Sequence, residues 1–178
     1  GTSQSVVGNH PRTIYQDAVN PDILWIASSA SSQLRAFDMK TQTLTHQISR
    51  YMTGTTSSNS FSHPEGVVVN RAGMVYFAAT YRNYLARYSP DSNYQYDTFD
   101  GPQAISSPIN YPKGLAFDEN NNVLYVTAGA GSDGPVYKVD SEFKNAAEVV
   151  YMSPGGSVQT KPYRGAYIDT NPVDGNVY

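Results

Sequence analysis

SHPEGVVVNRAGMVYFAATYRNYLARYSPD, Ser62 to Asp91, predicts three short strands and two turns in thirty residues. Pro64-Glu65-Gly66 leads into an apolar run at Val67 to Val69. A polar turn follows at Asn70 to Gly73, then a second run at Met74 to Ala79, and a third strand carries Leu85 and Tyr88. The β-branched and aromatic residues suit strands, and the Asn and Gly punctuation suits turns.

Relatives of this unit recur on both sides of it. An aromatic marks the second strand each time, at Trp25, Tyr76, Tyr125 and Tyr178, with spacings of 51, 49 and 53 residues. A second column, Leu34, Leu85 and Val136, is spaced by 51 residues twice. Two independent columns with one period define an internal repeat of about fifty residues.

The chain has 178 residues, enough for one domain with a sizeable core. An apolar fraction of 39% and a charged fraction of 15%, with 15 tyrosines, suit a β-rich protein with a polar, weakly charged surface. A net charge of −3 and scattered Lys and Arg argue against nucleic acid or an anionic membrane as partner. No apolar run reaches the roughly 20 residues that span a bilayer. Gly1 to His10 have neither the basic start nor the apolar core of a signal peptide. The absence of cysteine excludes disulfides, thiolate metal sites and a cysteine nucleophile.

Taken in order, residues 1–9 are a lead-in in which Ser5 to Val7 could form a short strand. The first repeat spans 10–49, with strands at Thr13 to Val19, Ile23 to Ser28, Gln33 to Phe37 and Thr41 to Ile48, separated by turns at Asn20 to Asp22 and Asp38 to Lys40. Arg50 to Ser62, rich in Ser, Thr and Gly, reads as a loop between units. The second repeat spans 63–99, with a fourth strand at Tyr94 to Phe99. Asp100 to Asn110 links it to the third, 111–152, which ends in a strand at Ala147 to Met152. After Ser153 to Lys161 half of a fourth unit covers 162–178. Ser141 to Val150 reads as a turn and a strand, and no stretch has a helical period.

Four antiparallel strands in about fifty residues describe a propeller blade. The starts Pro64-Glu65-Gly66, Pro112-Lys113-Gly114 and Pro162-Tyr163-Arg164-Gly165 resemble those of NHL-repeat blades. Each is followed by an apolar strand, an Asp or Asn, a turn and a V-Y or L-Y pair. QLRAFD, YLARYS and VYKVD are similar to the third strand of that repeat. The resemblance covers most of residues 10–178, with the first blade lacking the Pro-x-Gly start. Gluconolactonase-like and seven-bladed lactonase families share the strand pattern. The resemblance implies an all-β propeller, and one usually closed by about six blades. Three and a half blades leave the ring incomplete, so either a longer protein or several chains complete it. Open blade edges invite association, giving a homo-oligomer or filament as a further expectation.

Aligning the repeats puts Tyr15, Glu65, Lys113 and Arg164 at the start of the innermost strands, the mouth of the central channel and the usual place for a ligand. Such a set could bind a small polar or zwitterionic molecule, the bases gripping an anion, or form a ring of ion pairs that closes the channel. Gluconolactonase-like enzymes hold a divalent metal there, and Glu65-Gly66 matches their Glu. Lys113 and Arg164 occupy the next positions and would repel a metal, so no metal is expected. Amidating lyases built on NHL blades bind zinc through histidines. His10 and His63 precede prolines at blade starts and His46 lies in an outer strand, a set read as loop histidines without a metal.

Gly129 to Gly134 matches G-x-G-x-x-G, but Pro135 and a strand follow where a dinucleotide site needs a helix. No nucleophile elbow or local catalytic triad is present. Tyr81, Tyr84, Tyr94 and Tyr96 gather near Arg82 and Arg87, a pattern that core and rim packing explains, although a tyrosine-rich rim also suits carbohydrate or protein contacts. The expectation is a non-catalytic binding or scaffolding propeller, extracellular or at the cell surface, without a cofactor. A metal-dependent lactonase-type hydrolase or lyase and a self-assembling structural subunit are the alternatives.

Overall fold

The computed structural model describes residues 7–53, 57–60, 62–89, 96–99, 109–129, 134–149, 151–152, 158–159 and 168–170. Ser5 and Val6, Arg164 and Tyr178 lie outside these residues. Strands β1 (Pro11–Gln16), β2 (Ile23–Ser28), β3 (Gln33–Asp38) and β4 (Thr43–Ile48) form one antiparallel meander. Arg50–Thr53 (β5) and Ser57–Ser60 (β6) pair with each other in a two-stranded sheet. The second blade is β7 (Pro64–Val69), β8 (Val75–Ala79), β9 (Tyr84–Tyr88) and β10 (Tyr96–Phe99). The third is β11 (Pro112–Asp118), β12 (Val123–Ala128), β13 (Val136–Asp140) and β14 (Ala146–Val149). Tyr151–Met152 (β15) pairs with Val158–Gln159 (β16).

Burial on both faces explains why the middle blade reads as continuous apolar runs. Val67, Val69, Val75 and Phe77 pack with Trp25, Leu34 and Ile48 of the first blade. Their alternates Val68, Tyr76 and Leu85 pack with Leu115, Phe117, Leu124 and Val139 of the third. Neighbouring residues of one strand thus serve two different cores. The innermost strand β7 lies against β1 on one side and β11 on the other.

Aromatic and cationic contacts staple the second and third blades further out. The Tyr76 ring stacks on Phe117 at 5.2 Å and meets Phe143 edge-on at 5.9 Å. Its hydroxyl donates to the Ser141 carbonyl, which also accepts a hydrogen bond from Arg87. The Arg87 guanidinium lies over the Phe143 ring, 5.4 Å from its centroid, and 3.5 Å from Glu142.

Side-chain caps set where the strands stop. Asp17 accepts the Val19 and Asn20 amides and so ends β1 at Gln16, short of the expected Val19. Asn70 accepts the Ala72 and Met74 amides, and Asp118 those of Asn120 and Asn121. Asp38 accepts the Lys40 and Thr41 amides, which moves the start of β4 from Thr41 to Thr43.

The segment 50–60, expected as a loop, forms the hairpin β5–β6, and the expected strand from Ala147 to Met152 divides into β14 and a residue pair of the hairpin β15–β16. The first hairpin lies between the first and second blades and the second follows the third blade. Their strands pair outside the four-stranded sheets, so they carry no core-facing alternation for a sequence pattern to report.

The register corrects the first blade. Tyr15 pairs with Trp25 just as Val68 pairs with Tyr76 and Ala116 with Tyr125. Pro11 pairs with Ser28 as Pro64 does with Ala79 and Pro112 with Ala128. Arg12, rather than Tyr15, therefore stands beside Glu65 and Lys113 at the blade start. The Pro-x start is kept in this blade as Pro11-Arg12, and Thr13 replaces the glycine.

At that glycine position adjacent innermost strands approach closely. A Cβ on Gly66 would stand 2.1 Å from the Lys113 carbonyl oxygen, too near for any side chain. In the first blade the Thr13 hydroxyl donates to the equivalent carbonyl, that of Glu65, at 2.6 Å. One geometry is met by absence of a side chain and the other by a hydrogen bond.

Substituting Gly66→Ala should push β7 off β11 and cost about 2 kcal/mol, read as a lower urea midpoint. Thr13→Val keeps the shape, loses the bond and should cost about 1 kcal/mol. Burial pushes the Tyr76 phenol up to about 12, against a smaller opposing pull from Arg87. Because the folded value lies above the unfolded one, this stabilisation is complete below the unfolded pKa of about 10 and is lost as pH rises toward 12. Urea midpoints should fall over that interval, by about 2 kcal/mol from this group, and Tyr76→Phe should remove that part of the loss.

Candidate functional site

The starts of the three innermost strands share an unusual backbone. His10, His63 and Tyr111, each directly before a proline, have φ of 51°, 49° and 50°. Left-handed geometry is uncommon for such residues. Their carbonyls accept the amides of Ser29, Thr80 and Gly129, one residue beyond the second strand in every blade. The chain thus turns sharply into each innermost strand, and in the second and third blades the next residue but one is half-exposed between buried neighbours. Those residues are Glu65 and Lys113.

Between β8 and β9 a 3-10 turn, Thr80–Arg82, rises over this mouth. Two bonds pin it to the third blade. The buried Thr80 hydroxyl donates to the Pro112 carbonyl at 2.7 Å, and the Tyr111 amide donates to the Asn83 side chain at 2.9 Å. Asn83 takes the left-handed conformation that closes the turn. Held this way, Tyr81 is 56% exposed. Its ring lies 4.2 Å from His63, tilted by 45°, and 5.9 Å from Tyr111, at 78°.

Glu65, Thr80, Tyr81, Tyr111 and Lys113 together line an open cleft of about 440 Å³. Glu65 and Lys113 form no ion pair with each other within 4.0 Å, so among the described residues this part of the mouth is not closed by paired charges. The structure brings these two site residues together. It places Tyr15 further along β1, half-buried and packed against both cores. Burial raises the Tyr15 phenol pKa, helped by the carboxylates of Asp169, Glu119 and Asp17. Arg164 lies outside the described residues.

Arg12 is the functional candidate that alignment of the repeats missed, and Tyr81 is one that the sequence offers only as a member of a tyrosine-rich rim. The interval from proline to Asp or Asn, Pro11 to Asp17, Pro64 to Asn70 and Pro112 to Asp118, is six residues in each blade and would have found Arg12. For Tyr81 the signal was weaker. It is an aromatic in a turn, and only the bonds from Thr80 and Asn83 fix it over the cleft.

At the other end of the first two blades a smaller cleft of about 330 Å³ is lined by residues that include Val19, Ile23, Trp25 and His46. The Trp25 indole N–H donates to Asp17 at 2.7 Å and its ring stacks on His46 at 6.0 Å. Burial lowers the His46 pKa. Among the described residues no three His, Asp or Glu side chains come together as metal ligands. At Gly134, the end of the G-x-G-x-x-G match, a Cβ would stand 1.4 Å from the Ala128 carbonyl oxygen, and strand β13 follows. Close strand approach explains that glycine.

No protein-family profile and no curated protein matches this sequence. Solved structures do match in fold. Hydrazine synthase of Kuenenia stuttgartiensis superimposes with a TM-score of 0.68 at 14% identity, over 98% of this chain and 42% of its own. A catalytically inactive virginiamycin B lyase from Staphylococcus aureus, solved with quinupristin, gives 0.63 at 13% identity, over 94% and 47%. The WD40 repeats of RRP9 give 0.56 at 14% identity, over 95% and 43%. The chain therefore spans less than half the length of these three structures. At such identities the likeness shows architecture alone, and with three meanders of four antiparallel strands around adjoining innermost strands, that architecture is the β-propeller.

Proposed function

We propose that this chain is a binding or scaffolding propeller that takes its ligand at the start of the innermost strands, on the face carrying Arg12, Glu65, Tyr81, Tyr111 and Lys113. The carrying observation is that Glu65 and Lys113 line one cleft with the exposed Tyr81 and the half-buried Tyr111 and make no ion pair with each other. Oppositely charged groups held apart beside a stacking surface are suited to a polar partner that satisfies both. The WD40 propeller among the structural neighbours supports a scaffolding use of the fold, and the lyases among them show that the fold also hosts enzymes. An extracellular or cell-surface setting belongs to this proposal.

Amide-resolved NMR with a fragment set of amines, acids, zwitterions, monosaccharides and short peptides tests the reading. At least one class should shift the amides of Glu65, Thr80, Tyr81, Tyr111 and Lys113, and Tyr81→Ala should weaken it about tenfold. Hits collecting only at the Trp25–His46 cleft, or none at the mouth, would overturn it. A stoichiometric divalent ion in the purified protein would favour the hydrolase or lyase alternative instead. A mass well above 19.5 kDa by light scattering would favour self-assembly.

A further inference from the structure

The cleft at the mouth has a more particular chemistry than polarity. The Tyr81 and Tyr111 rings stand at 78° with centroids 5.9 Å apart, so their planes make a corner, and His63 braces the Tyr81 ring at 4.2 Å. An exposed aromatic face beside a second ring set near a right angle is a wall suited to alkylated ammonium groups, because the face presents the negative part of its quadrupole. Glu65 adds a full negative charge to the same cleft. Lys113 adds a positive charge from the next innermost strand, and the two do not neutralise each other.

A plain cation would gain from the rings and Glu65 but meet repulsion from Lys113. A plain anion would face the reverse. A neutral sugar would stack, yet it would leave two unlike charges partly desolvated without ionic partners. A molecule with both charges satisfies every group.

We infer that the mouth binds a small zwitterion, an alkylated ammonium joined by a short spacer to a carboxylate or phosphate. The ammonium sits in the Tyr81–Tyr111 corner beside Glu65, and the anion meets Lys113. This rests on the mouth being a binding site and adds the class of its ligand. The cleft volume of about 440 Å³ is in the range of small-molecule sites and leaves room for a molecule larger than the simplest such zwitterion.

Calorimetric titration of the full chain with glycine betaine and phosphocholine tests this, beside choline as cation alone, acetate as anion alone, and 3,3-dimethylbutan-1-ol as neutral isostere. At least one zwitterion should bind at one site, with choline and acetate each about fivefold or more weaker and the isostere without saturable binding. Tyr81→Phe should retain binding and Tyr81→Ala should weaken it about tenfold. Glu65→Gln should weaken zwitterion and choline alike, whereas Lys113→Met should weaken the zwitterion and leave choline unchanged or tighter. Unchanged melting temperatures show that each variant is folded. Choline binding as tightly as both zwitterions, or the isostere as tightly as choline, overturns the inference. Phosphocholine without betaine identifies the anion as phosphate, and phosphatidylcholine vesicles that compete for the site identify a lipid headgroup as the source. If saccharides or peptides shift the mouth amides while no zwitterion binds, the inference fails and the binding reading stands. If nothing binds there, both fail.

Discussion

Face-to-face packing of neighbouring blades is the contact on which the rest of the molecule depends. A four-stranded meander has two apolar faces and cannot cover either by itself, so each blade is completed by the next. In the middle blade the division falls between adjacent residues, Val67 and Val69 toward the first blade and Val68 toward the third. The aromatic column turns the same way each time. Trp25 fills the interface of blades one and two, and Tyr76 that of blades two and three. Close approach at the innermost strands is part of the same constraint, since Gly66 admits the Lys113 carbonyl where any Cβ would hold the blades apart. The starts of those strands are therefore brought side by side by core packing.

The turns are held by a different chemistry, carboxylate and amide side chains accepting backbone N–H groups at the strand ends. Asp17, Asn70 and Asp118 do this after the first strand of each blade, and Asp38 and Asp140 after the third. Hydrogen bonds from the Thr41 and Lys40 backbone hold the Asp38 carboxyl below its usual range. For Asp118 and Asp140 burial acts against the charge, and bonds from Asn121 and Asn120, or from Lys144, Asn145 and Glu142, outweigh it. Depressed carboxylate values stabilise the fold above the unfolded range and release that stabilisation as acid protonates them. The turns are thus the part of the blade most exposed to acid, while the apolar interfaces are indifferent to it.

This division of labour explains what could be read from sequence. Trp25 and Tyr76, and Leu34 and Leu85, recur about fifty residues apart because packing against a neighbouring blade demands an apolar residue at the same height. The blade and its strand order were legible on that ground. The turn from Asp17 to Ile23 is one or two residues longer than its counterparts, so counting back from Trp25 overshoots Arg12 toward Tyr15. Counting forward from the proline keeps step. The hairpins β5–β6 and β15–β16 carried no signal, since their pairing lies outside the blades and imposes no repeated apolar column. Tyr84 was rightly read as packing, being 3% exposed, but its near neighbour Tyr81 at 56% was not distinguishable from it by composition.

The difference between those two tyrosines lies in the backbone. A left-handed residue before proline costs about 1–3 kcal/mol, and three successive blades bear it at His10, His63 and Tyr111. Core packing alone has no need of that strain, because an extended residue would also lead into a strand. What the left-handed turn adds is the position of the His63 carbonyl, which accepts from the Thr80 amide, and of the Tyr111 amide, which donates to Asn83. Those bonds fix both ends of the turn that lifts Tyr81 against His63 and Tyr111. The left-handed residues at His63 and Tyr111 thus help to hold the Tyr81 turn above Glu65 and Lys113, and on the proposed binding reading ordering that turn is a cost of folding rather than of binding.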